Sequence, residues 1–209
     1  FRLRGPLSGD HINFEEDRYK NLDNKAIKKE YAKDNDVIII GIDQKSFKAI
    51  NMEYPGYDRS LIWAKAVKNL VDAGVSVIVF DIMFDKEKME QDSIFSESIK
   101  YAERKNVQVI LAANNDRIRD VMNQKYKLIK PSHYITDNTN SKLGLVGTKS
   151  DNDDFIRQYL AFDANTTHYP IALQAVLSFK GVEKPIFRDN GIKIDDLFIP
   201  FYNNQNTFL

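Results

Sequence analysis

The chain has 209 residues, 43% of them hydrophobic and 29% charged, enough for a globular fold with a sizeable core. Its 30 basic and 30 acidic residues balance, so no net field draws it to nucleic acid or to an acidic membrane surface. With no cysteine, there is no disulfide framework, no thiolate zinc site and no cysteine nucleophile.

The opening FRLRGP has neither an initiator Met nor an apolar signal core, and reads as the middle of a longer protein. Residues 7–36 are polar, with a weak helical pattern around Asn24–Lys33; Lys25, Lys28, Lys29 and Lys33 read as a solvated surface. VIIIGI (37–42) is a continuous β-branched run, the pattern of a strand covered on both faces. YPGYDRS (54–60) joins a Pro55-Gly56 turn to a helix starting near Ser60. Arg59 there opposes the helix macrodipole, so its side chain is directed elsewhere, to a surface ion pair or to a strand-end carboxylate such as Asp43 or Asp81.

SLIWAKAVKNLVDAG predicts a helix with Ser60 as N-cap, Gly74 as its stop, and Leu61, Ile62, Ala66, Val67, Leu70 and Val71 on one face. VSVIVF (75–80) is the next strand. DSIFSESIKYAERKN (92–106) predicts a second helix, capped by Asp92, with Ile94, Phe95, Ile99 and Ala102 inward. VQVILAA (107–113) is a third strand. Strand, helix, strand, helix, strand implies a parallel sheet with right-handed crossovers.

Beyond Asn114 the pattern weakens. KLGLVGT (142–148) and FIRQYLAF (155–162) alternate like strands around the acidic turn 151–154. YPIALQAVLSFKG (169–181) is a helix with Pro170 in its first turn and Gly181 past its end. IFRDNGIKI (186–194) reads as a hairpin, and LFIPFYN as a last strand. The fold class is therefore α/β: a mixed, largely parallel sheet flanked by helices, with an antiparallel C-terminal portion.

Three polar residues, Asp43, Asp81 and Asn114, each follow the last apolar residue of a predicted strand. They would share the carboxyl edge, where open α/β sheets place ligands. Carboxylates on adjacent strands, about 5 Å apart, would suit Mg²⁺ or Ca²⁺. The plainer reading, which the spacing alone favours, is that each Asp caps the following helix or turn. Asp92, and Asp85 with it, would join such a site if the loop 82–92 folds back. The three histidines, His11, His133 and His168, stand apart with no metal-ligand spacing, and no nucleophile elbow, phosphate loop or dinucleotide fingerprint occurs.

In order, FRLRGP, VIIIGIDQKSF, YPGYDRS, LVDAGVSVIVFDIMF, DSIFSESI, VILAAN, LGLVGTKSDNDDFIRQYLAF, PIALQAVL and IPFYNNQNTF make the chain resemble CHASE2, an extracytoplasmic sensor domain of bacterial membrane-bound signalling proteins. The most specific part is the D-x-x-F element from Asp81 to Phe84 with the preceding strand and the earlier G-I-D. The resemblance implies a non-enzymatic input module, periplasmic or extracellular, set between transmembrane helices and joined to a cytoplasmic cyclase or kinase. It implies 1–36 as a juxtamembrane segment and 37–209 as the sensor domain, with no cofactor. The partners it implies are a small-molecule ligand or an envelope protein, and a second copy through the parent protein. The crevice residues would be Asp43, Arg59, Asp81, Asp92 and Asn114. The chain departs from the family pattern in Tyr54 and Tyr57, in the long insert 10–36, and in lacking a further strand after NTF. The last departure implies a domain truncated at its C-terminus, or a sheet edge filled by another chain. The rival reading is a metal-dependent hydrolase holding Mg²⁺ on the strand-end carboxylates.

Overall fold

The computed structural model describes residues 37–49, 58–117, 126–147, 168–188 and 191–200. The chain divides into two units, 1–57 and 58–209. In the first, residues 37–43 run without regular structure into a short helix α1 (Gln44–Ala49). The strand expected at 37–42 is not formed: β-branched composition supplies only a propensity, and a strand exists through ladder bonds to a neighbour.

The second unit begins with a π-helical turn, Arg59–Trp63, that continues as α2 (Ala64–Asp72). The N-cap is Asp58 rather than Ser60: its carboxylate accepts from the N–H groups of Ser60 (2.8 Å) and Leu61 (3.0 Å). The buried face consists of Arg59, Trp63, Ala64, Val67, Leu70 and Val71, while Leu61 is exposed. The wider i→i+5 bonding at the start, Ala64 N–H to the Arg59 carbonyl, shifts the phase of the helix from that of a regular α-helix, and there Trp63 faces inward and Leu61 out. Gly74, at φ 85°, ends the helix in the left-handed conformation that a side chain rarely adopts.

Strand β1 (Val77–Phe80) follows, then α3 (Met89–Arg104), the long strand β2 (Gln108–Arg117), β3 (Tyr126–Ile129), the short helix α4 (His133–Thr136) and β4 (Lys142–Leu145). The first half of β2 is parallel to both β1 and β4, with Phe80 opposite Leu111 and Ala112 opposite Gly144. Its second half pairs antiparallel with β3, Asn114 lying opposite Ile129. Residues Val109 to Ala113 are all fully buried, so β2 is covered on both faces.

Helix α5 (Ile171–Phe179) packs on β4, β2 and β1, and Gly144 is what lets it approach. A Cβ on Gly144 would lie 2.6 Å from the Ile171 Cα. The C-terminal strands β5 (Ile186–Arg188), β6 (Gly191–Ile194) and β7 (Leu197–Pro200) form a separate antiparallel sheet, so the hairpin expected at 186–194 is present. Leu173 and Leu177 of α5 join Ile192 and Ile194 of β6 in its core. The strand expected over 155–162 lies outside the described residues.

Candidate functional site

The end of β1 is organised by aromatic packing. Phe80 and Phe84 meet Trp63 of the π-turn and Phe95 of α3 in mostly edge-to-face contacts, with ring centroids 5.0 to 6.3 Å apart. Burying each of these side chains contributes about 1.5–3 kcal/mol, and each favourable ring pair adds about 0.5–1.5 kcal/mol. Phe84 therefore pins the loop 81–88 between β1 and α3. On the far side its carbonyl accepts from Ser132 N–H at 2.8 Å, which ties the loop to the start of α4.

Arg59 reaches into this cluster from the π-turn and is 4% exposed. One guanidinium nitrogen, Nη1, is ion-paired with Oδ1 of Asp92, and Nη2 donates to the Lys86 carbonyl at 2.6 Å. The guanidinium carbon lies 5.3 Å from the Phe84 ring centre, within cation–π range. The backbone N–H of Arg59 donates to Gln91 Oε1 at 3.2 Å. Asp92, itself wholly buried, uses its second oxygen to accept from Lys88 N–H at 2.9 Å. Asp92 is thus not the N-cap of α3, which is Lys88; it sits in the first turn and reaches back to the cap. Ser96 extends the network, its hydroxyl meeting the carbonyls of Asp92 (2.7 Å) and Tyr134 (2.9 Å).

The other residues singled out by the sequence have different addresses. Asp81 follows β1 and is exposed; it forms no pair with Arg59. Asn114 is inside β2 rather than at its end. Continuing the register, Asp81 falls opposite Ala112, and Asn114 lies two residues on, about 7 Å further along the strand. The Asn114 side chain is directed at the chain after β4, where a Cβ on Gly147 would lie 2.8 Å from its Oδ1.

Asp43, in the first unit, stands before α1 instead of after a strand. Its Oδ1 accepts from the N–H (2.9 Å) and hydroxyl (3.0 Å) of Ser46, whose Oγ accepts in return from Asp43 N–H. The Ser46 backbone N–H, then the Ser46 hydroxyl, hold the Asp43 carboxyl below its ordinary value. Ile94, expected inward on α3, is exposed, whereas Phe95, Ile99 and Ala102 are buried as expected.

Sequence reasoning missed the pairing of Arg59 with Asp92 and the seating of the loop on Ser132. The available signal was Arg59 itself, a cation at the positive end of a helix that must find its anion elsewhere. Among the described residues no group of three or more His, Asp or Glu side chains is placed to hold a metal ion. No helix among them is long and apolar enough to cross a membrane.

A family model described as CHASE2 domain matches residues 10–208. No curated protein and no solved structure matches the chain.

Proposed function

The chain belongs to the CHASE2 domain family, whose members are extracytoplasmic, non-catalytic sensory domains, and from that premise we propose that it relays a signal across a membrane. In this reading a small molecule or an envelope partner engages the exposed surface at the end of β1, around Asp81 and the loop 81–88. The bound state favours one arrangement of that loop, and the bias passes through flanking membrane helices to a cytoplasmic cyclase or kinase. The parent protein acts as a homodimer, and the domain lies in the periplasm or outside the cell.

The observation that carries this reading is the buried Arg59–Asp92 pair. It joins two helix starts and the loop carbonyl of Lys86 through two buried side chains, the physical link by which a change at the exposed loop would reach both helices. Arg59 and Asp92 are positioning residues in this scheme, since both are buried. Asp81 is the exposed carboxylate through which a ligand would be met.

Two measurements test it. Alkaline phosphatase fused at the end of the chain within the full-length protein should be active, and a fusion inactive at matched expression would place the domain on the wrong side of the membrane. Asp81→Ala should leave the fold intact while altering the output of the full-length protein. An unchanged output would remove Asp81 from the sensing surface.

A further inference from the structure

The loop 81–88 is fastened on two sides by different chemistry. Inward it is held by Arg59, through the Lys86 carbonyl, and by Asp92, through Lys88 N–H. Outward it is held by α4: Ser132 N–H donates to the Phe84 carbonyl, and His133 Nδ1 lies 3.0 Å from Glu87 Oε1. The side chains of the inward fastening, Arg59 and Asp92, are 5% and 0% exposed, whereas those of His133 and Glu87 are 48% and 59% exposed. Only the outward one is open to the proton activity of the surroundings.

From this geometry we propose that His133 and Glu87 form an acid-strengthened clasp that holds the loop 81–88 against α4. When the imidazole is neutral, Nδ1 carries a proton in only one of its two tautomers, and in the other a lone pair faces the carboxylate. Protonation makes Nδ1 a fixed donor and adds a charge, so the contact becomes a charge-assisted hydrogen bond. The Tyr134 ring lies against the imidazole, centroids 4.0 Å apart, and limits the orientations it can take.

The charged and titratable groups on the surrounding elements are Asp85, Lys86 and Lys88 of the loop, Glu90 and Asp92 in the first turn of α3, and Lys130, Tyr134 and Asp137 beside or within α4. Asp92 is already neutralised by Arg59, and Glu87 is the carboxylate within hydrogen-bond reach of the imidazole. The clasp is a property of the chain itself and stands apart from the identity of any ligand. Acidification on the extracytoplasmic side would then stiffen the loop that the sensing surface uses.

The test is amide hydrogen exchange of the segment 81–89 in the 209-residue chain, at about pH 5.5 and about pH 8, corrected for the intrinsic pH dependence of exchange. Protection should be about two- to five-fold greater at the acid pH, the range an exposed ion pair supplies. The difference should vanish in His133→Gln, which still donates but does not titrate, and in Glu87→Gln. A wild-type chain with no gain in protection at the acid pH, or a gain that survives in either variant, would overturn the clasp. Local exchange is the readout because His168, whose charged form burial disfavours, moves global stability in the opposite direction.

Discussion

Arg59 and Asp92, thirty-three residues apart in sequence, form an ion pair with side chains only 5% and 0% exposed. The attraction has to offset the cost of removing two charges from water, and it does so only with the extra bonds to Lys86 and Lys88 in place. Such a pair contributes chiefly by fixing where the two helix starts stand relative to the loop.

Removing one member should therefore cost more than removing both. Asp92→Ala leaves a buried guanidinium uncompensated and should lower stability by about 3–5 kcal/mol in urea unfolding. The double variant Arg59→Met/Asp92→Leu should recover most of that loss, because no charge remains buried. A double variant as unstable as the single one would assign the loss to packing alone.

Asp58 caps the π-turn, and Asp58→Ala should cost about 1 kcal/mol, within the range for lost N-caps, while Asp58→Asn should cost less. The Ser60 hydroxyl is the main cause holding the Asp58 carboxyl below its ordinary value, against the opposing effect of burial. With the folded-state value depressed, the unfolded chain binds the proton more readily. This part of the stability is present above about pH 4 and is lost as the pH falls further. Acid unfolding of Asp58→Asn should show a shallower loss in that window.

His168 gives a second window. Burial, and then the nearby charge of Lys130, lower its value, so the unfolded state takes up a proton that the folded state resists. Stability should fall as the pH drops below about 6.5, and His168→Gln should remove that dependence. Urea midpoints measured on both sides of that pH, in wild type and variant, decide it.

Gly144→Ala should loosen α5 from β4. The added methyl meets the Ile171 backbone, which cannot swing aside as a flexible side chain would. A loss of about 1–3 kcal/mol is expected. Gly147→Ala is a useful comparison, since the methyl there meets the Asn114 side chain, which can move.

Much of the fold was legible because the elements have strong local periods. The helices at Ala64–Asp72, Met89–Arg104 and Ile171–Phe179, the parallel pairing of β1 with β2 and the C-terminal hairpin follow from apolar spacing and from the stops at Gly74 and Gly181. What escaped was decided by tertiary pairing. The run 37–42 has the composition of a strand without becoming one, and the strand at Tyr126–Ile129 exists because β2 runs on past Ala113 to meet it. At the site, Asp81 and Asp92 look alike in sequence. The register of the first turn of α3 against the π-turn buries Asp92 and leaves Asp81 in water.

The most direct test is the cytoplasmic output of the full-length protein in membranes, comparing wild type with Arg59→Lys at matched amounts of folded protein. Lys retains the charge but loses the forked donors that reach Asp92 and the Lys86 carbonyl together. An input domain whose loop is set by this pair should show a changed basal output or a changed response. Output indistinguishable from wild type in both would contradict the role assigned to the Arg59–Asp92 cluster in signalling.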